Sequence, residues 1–220
     1  ACANQPPSAV SVSPNSGTGP SATFSFLYSD ANGYTDLSWV QANINSALSA
    51  VNGCYMHYDR GFNGLWLVND AGTGWLGPAW VGTAGILENS QCSINAASSS
   101  FSGSGNSLTL NLALSFKWAF AGAKTIYMQT QDQSALSTGW QSRGTWTVVW
   151  GNEAPSVVSV SPNSGSGSAQ NFSLVYSDPN GFTDLPWAQV NINAALSPTG
   201  ACYVHYARVA NAVWLLDDAA

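Results

Sequence analysis

Leu108-Thr-Leu-Asn-Leu-Ala-Leu-Ser-Phe-Lys-Trp-Ala-Phe120 carries an apolar side chain at every second position from one end to the other. Successive side chains of an extended chain point to opposite faces, so this run predicts a long β-strand with one buried face. Shorter alternations lie on either side: Phe24, Phe26 and Tyr28; Val40, Ala42 and Ile44; Cys54, Met56 and Tyr58; Ile126 and Met128; Trp146 and Val148. Turn chemistry separates them at Ser13-Pro-Asn-Ser-Gly17, Asn32-Gly33, Asn52-Gly53, Asn63-Gly64, Gly103-Ser-Gly-Asn106 and Ser137-Thr-Gly139, where glycine and asparagine accept positive φ and proline fixes φ. Only Ser46-Ala-Leu-Ser49 hints at a helical turn. The pattern predicts an all-β protein, an antiparallel two-sheet sandwich of immunoglobulin-like type, with a closed barrel as the alternative.

The chain also repeats itself. Shifted by 148 residues without gaps, Pro7 falls on Pro155, and 39 of the 66 pairs from there to Gly72/Ala220 are identical. Val10 to Gly17 returns as Val158 to Gly165, and Tyr28 to Leu37 as Tyr176 to Leu185. One complete unit at 6–150 and the first half of a second at 154–220 are therefore expected. The later strands have no second copy, so the half unit should expose Phe172, Leu174, Tyr176, Val190, Ile192, Val204 and Leu215. Two remedies are open: sequence beyond residue 220, or strands from another chain in a head-to-tail contact.

Composition excludes several functions. Five Lys and Arg stand against eleven Asp and Glu, a formal charge of −6, and only 7% of residues are charged. So few cations cannot form a phosphate-binding patch, which excludes nucleic acid as a partner. A 45% hydrophobic content with ten tryptophans excludes disorder. The apolar stretches are too short for a membrane-spanning helix. Ala1-Cys-Ala-Asn-Gln5 has neither the basic nor the apolar region of a secretion signal.

Pro155-Ser-Val-Val-Ser-Val-Ser-Pro-Asn-Ser-Gly-Ser-Gly167, Tyr176-Ser-Asp-Pro-Asn-Gly-Phe-Thr-Asp-Leu185, Ala201-Cys-Tyr-Val-His-Tyr206 and Asn69-Asp-Ala-Gly-Thr-Gly-Trp75 resemble a repeat of secreted, multi-copy proteins of environmental bacteria. The resemblance covers nearly the whole chain and implies an extracellular or cell-surface β-sandwich module. It names no ligand.

The cysteines fit an oxidising compartment. None of Cys2, Cys54, Cys92 and Cys202 has the close spacing of a zinc or redox motif. Cys54 and Cys92 lie within the complete unit and are expected to pair. Cys202 repeats Cys54 but has no counterpart of Cys92, which leaves it to bridge Cys2, in this chain or a neighbouring one, or to stay free.

No constellation points to catalysis. His57 and its copy His205 should face away from the core as solvated residues, without a nucleophile elbow or a metalloprotease helix nearby. No second acid stands opposite Asp30 and Asp36 as a glycosidase needs. No enzyme activity and no cofactor are expected. Asp30, Asn32 and Asp36, repeated as Asp178, Asn180 and Asp184, have oxygens spaced partly as in a calcium loop. The preferred reading is a metal-free Asx-turn, stable in chelator. Trp39, Gln41, Asn43 and Asn45, repeated as Trp187, Gln189, Asn191 and Asn193, should share the outward face of one strand. Aromatic plates beside amides suit a protein contact, a sugar ring or a loop of the same unit. The expected function is a structural extracellular repeat protein that assembles head to tail with copies of itself into a filament, sheath or adhesive layer. The alternative is a carbohydrate-binding module of a secreted enzyme or adhesin.

Overall fold

The computed structural model describes residues 3–219, and they divide into two compact units that part after Trp150. The first holds eleven strands: β1 (Ser8–Ser13), β2 (Ser21–Ser29), β3 (Leu37–Asn45), β4 (Cys54–Asp59), β5 (Gly64–Val68), β6 (Trp75–Trp80), β7 (Ile86–Glu88), β8 (Cys92–Ser104), β9 (Ser107–Phe116), β10 (Gly122–Asp132) and β11 (Gln141–Val148). They form two antiparallel sheets, β1-β2-β9-β8-β7 and β11-β10-β3-β4-β5-β6. Among the described residues there is no α-helix, and in the Ser46–Ser49 segment the chain only bends, at 46–48.

The alternating side chains form the core. Phe24, Phe26 and Tyr28 from one sheet and Ile44, Met56 and Tyr58 from the other are all at most 1% exposed. Two links tie the sheets together. Cys54 on β4 is bonded to Cys92 on β8, and the Tyr28 hydroxyl donates to the Gln41 carbonyl at 2.9 Å. The segment after β1 crosses to the other sheet, where Thr145 and Thr147 of β11 donate to the carbonyls of Asn15 and Gly17, each at 2.9 Å.

The long alternating run is shorter than its pattern predicts. β9 ends at Phe116 because its ladder ends there: Ser115 pairs with Ser21, the first residue of β2, and Phe116 with Cys92, the first of β8. After Lys117, whose N–H still donates to the Gln91 carbonyl at 2.8 Å, the chain closes a 3₁₀ turn, in which Phe120 N–H donates to the Lys117 carbonyl at 2.9 Å. The turn returns Phe120 to the core, stacked on Phe116 at 5.7 Å, and leaves Trp118 outside.

The second unit contains β12 (Ser156–Ser161), β13 (Ser173–Ser177), β14 (Trp187–Ile192), β15 (Cys202–Ala207) and β16 (Ala212–Leu215), paired as β12-β13 and β14-β15-β16. The registers repeat those of the first unit: Val160 faces Leu174 as Val12 faces Phe26, and Val190 faces Val204 as Ala42 faces Met56. The Tyr176 hydroxyl donates to the Gln189 carbonyl, the counterpart of the Tyr28–Gln41 link. What differs is cover. Phe172 is 48% and Leu174 36% exposed where Phe24 and Phe26 are fully buried. Leu174, Tyr176, Leu185, Val190, Val204 and Tyr206 line an open apolar groove of about 390 Å³. Among the described residues of this unit no apolar side chain is fully buried.

Candidate functional site

The outer face of the six-stranded sheet collects aromatic side chains from four strands and one loop. On β3, Trp39 and Gln41 alternate with the core residues Val40 and Ala42, and β4 sets Tyr55 and His57 beside them. Pairing of β4 with β5 brings Trp66 opposite His57, and β6 adds Trp75. The loop before β11 supplies Trp140. Three pairs pack edge to face, Tyr55 at 5.0 Å from Trp75 and 5.3 Å from Trp140 and His57 at 5.5 Å from Trp66, while His57 is tilted against Trp75 at 5.4 Å. Trp39 closes the cluster at 5.8 Å from His57.

Gln41 is the polar hub of this face. Its Oε1 accepts from the Tyr55 hydroxyl at 2.8 Å and from Gln129 Nε2, and its Nε2 lies 2.9 Å from His57 Nδ1. With both donors on Oε1, the other end of the amide must donate, which makes Nδ1 the acceptor and the imidazole neutral with its proton on Nε2. Protonation would set Nδ1–H against the amide N–H₂. Burial among the rings pushes the His57 pKa below the usual imidazole value, and the Asp59 carboxylate opposes this only in part. The expected solvated histidine is thus a packed one.

A consequence can be measured. Because the folded state lowers this pKa, the unfolded chain binds the proton more tightly, and the stability His57 contributes is complete above about pH 6.5 and lost as pH falls through its folded value. In an NMR titration, the His57 Cε1–H signal should move with a midpoint below 6.5. A midpoint at or above 6.5 would contradict the packed, neutral ring.

The expected polar residues divide. Gln41 is part of the cluster, but Asn43 and Asn45 are spent on the β3–β4 loop, both side-chain amides donating to the Ser49 carbonyl, at 2.9 and 3.0 Å. Asn43 is 1% exposed and presents no amide to a ligand. The second unit does the same: Asn191 donates to Ser197, while Trp187 and Trp214 flank His205 at 6.1 and 5.7 Å and Gln189 Nε2 lies 3.1 Å from His205 Nδ1. The face is therefore built on aromatic rings more than on amides. Tyr55, Trp66, Trp75 and Gln129 join it through strand pairing, and their only signal in the sequence is aromatic or amide character at alternate strand positions; Trp140 joins from a loop and has no such signal.

Cys54 and Cys92 are both fully buried, so they brace the fold and leave the face untouched. Cys202 is exposed and free, and Cys2 lies outside the described residues. The Asp30 turn is an Asx-turn, Asn32 N–H donating to Asp30 Oδ1 at 2.7 Å, and the Asp178 turn repeats it through Asn180 at 2.7 Å. The structure adds a residue absent from the sequence reading: Asp132, at the end of β10, brings its carboxylate to those of Asp30 and Asp36. No protein-family model and no curated protein matches this chain.

Proposed function

We propose that this chain belongs to an extracellular bacterial structural protein, built of immunoglobulin-like repeat units, that assembles with copies of itself through the aromatic outer faces of its sheets. The observation that carries this reading is the recurrence of one contact face. Trp39, His57, Trp66 and Gln41 in the first unit and Trp187, His205, Trp214 and Gln189 in the second have the same arrangement. Aromatic side chains bury large areas at little entropic cost and are enriched at the centres of interfaces. With 7% charged residues, covering such a face desolvates few charges. A first-unit face packed on the second-unit face of the next chain is a heterologous contact, so it propagates as a filament or sheath unless the rotation closes a ring.

Strand exchange gives weaker support. Strands β8–β11 of the described residues already pair within the sheets of the first unit. The groove of the second unit calls for additional strands of the β8–β11 kind.

The second reading, a carbohydrate-binding module, is favoured by the 45% exposure of Trp75 beside polar side chains. Against it stands the ring geometry. Tyr55, His57, Trp66, Trp75 and Trp140 meet at 52 to 75°, which makes a stepped surface where a stacked sugar ring needs a flat one. Negative-stain images separate the two: fibres are expected, whereas a monodisperse monomer that sediments with insoluble polysaccharide would favour the module.

A further inference from the structure

Three acidic side chains of the first unit converge although they come from two separate turns. Asp30 follows β2, Asp36 ends the 3₁₀ turn before β3, and Asp132 ends β10, directly opposite Leu37 in the register. Each offers a carboxylate oxygen within 4.8 Å of the other two. Asp30 and Asp132 are each 1% exposed. Burying like charges this close is costly unless a cation or a proton offsets them. No lysine or arginine among the described residues forms an ion pair with any of the three carboxylates: Arg60, which lines the same cleft as Asp36, instead donates through Nε to the Leu37 carbonyl.

The hydrogen bonds narrow what is missing. Asp132 Oδ1 accepts from the backbone N–H groups of Ser134 and Leu136, each at 2.8 Å, and its Oδ2 accepts from Asn4 Nδ2 at 2.8 Å. Asp30 Oδ1 accepts from Asn32 N–H. Asp30 Oδ2 is buried and has no donor. A buried carboxylate oxygen without a partner is among the least tolerated features of a protein interior, and here it belongs to a carboxylate that faces two others. Around it the turns are held in place: Gln5 N–H donates to Asn32 Oδ1, and Gln133 donates to Asp36 through its backbone and to Thr35 through its side chain.

We propose that Asp30, Asp36 and Asp132 bind one calcium ion. Three carboxylates are a hard, all-oxygen donor set, and Ca²⁺ accepts irregular sets of six to eight oxygen ligands, water included, where Mg²⁺ demands a near-ideal octahedron. The ion supplies the missing partner of Asp30 Oδ2 and fastens the β2–β3 turn to the end of β10. This reverses the preference for a metal-free turn. Among the described residues no third acidic side chain converges on the repeated turn at Asp178 and Asp184, which therefore serves as the control.

The test uses the full chain after chelator treatment. Calorimetric titration with CaCl₂ should give one site per chain. Calcium at about a hundred times its dissociation constant should raise the melting temperature by roughly 5–10 °C, reversed by EGTA. Asp132→Asn keeps the side chain's shape and should abolish both the binding heat and the shift, as should Asp36→Asn on the half-buried member. Asp184→Asn should leave both unchanged. A wild-type chain without binding heat or shift, or an Asp36→Asn chain that retains them, would overturn the site.

Discussion

Replacing Cys54 and Cys92 together by alanine is expected to destabilise the first unit by about 4 kcal/mol, a large share of the roughly 5–15 kcal/mol that holds a domain folded. The bond spans 38 residues, and the chain-entropy model assigns about that value to closing such a loop in the unfolded chain. Its position adds to the loss, because it joins strands of opposite sheets and both sulfurs lie in the core. Denaturant unfolding followed by tryptophan fluorescence should show the midpoint fall sharply. An unchanged midpoint would mean that packing alone fixes the spacing of the sheets.

The second large effect has its control inside the molecule. A Cβ added at Gly17 would lie 2.4 Å from Trp146 Cζ3. The indole cannot retreat: it is 6% exposed, packs edge to face on Phe24 at 5.1 Å and donates Nε1–H to the Gly19 carbonyl at 2.9 Å. Gly17→Ala should therefore cost about 1–3 kcal/mol by overpacking. Gly165, the same position in the second unit, has nothing within 4 Å of an added Cβ. Gly165→Ala should be close to neutral. Thermal melts of the two variants should differ by several degrees, and equal melts would remove the claim that this glycine is required by close packing.

The strand pattern and the disulfide were legible because both are local or stoichiometric. Period-two alternation identifies the buried side chains of a strand whatever its neighbours, and Cys54 and Cys92 were the two cysteines within one repeat. What the pattern could not carry is which strands lie side by side. Trp118 continued the alternation perfectly, yet the neighbouring strands stop before it, and Phe120 alone returns to the core. Asn43 alternated outward with Gln41 but was taken by the Ser49 carbonyl, a preference set by how the following loop folds. Asp132 reaches Asp30 from 102 residues away through the β10–β3 register. Trp140 meets Tyr55 in the same long-range way.

The assembly claim is tested most directly by light scattering of the full chain over a wide concentration range, wild type beside Trp187→Ala. Trp187 is 54% exposed, so its truncation leaves the fold intact while removing one of the two indoles that flank His205 on the second-unit face. The wild-type mass should climb with concentration well past that of a dimer, as an open head-to-tail series requires, and the variant should remain near 23.0 kDa. A wild-type chain that stays monomeric throughout, or a variant that assembles equally well, would contradict assembly through this face.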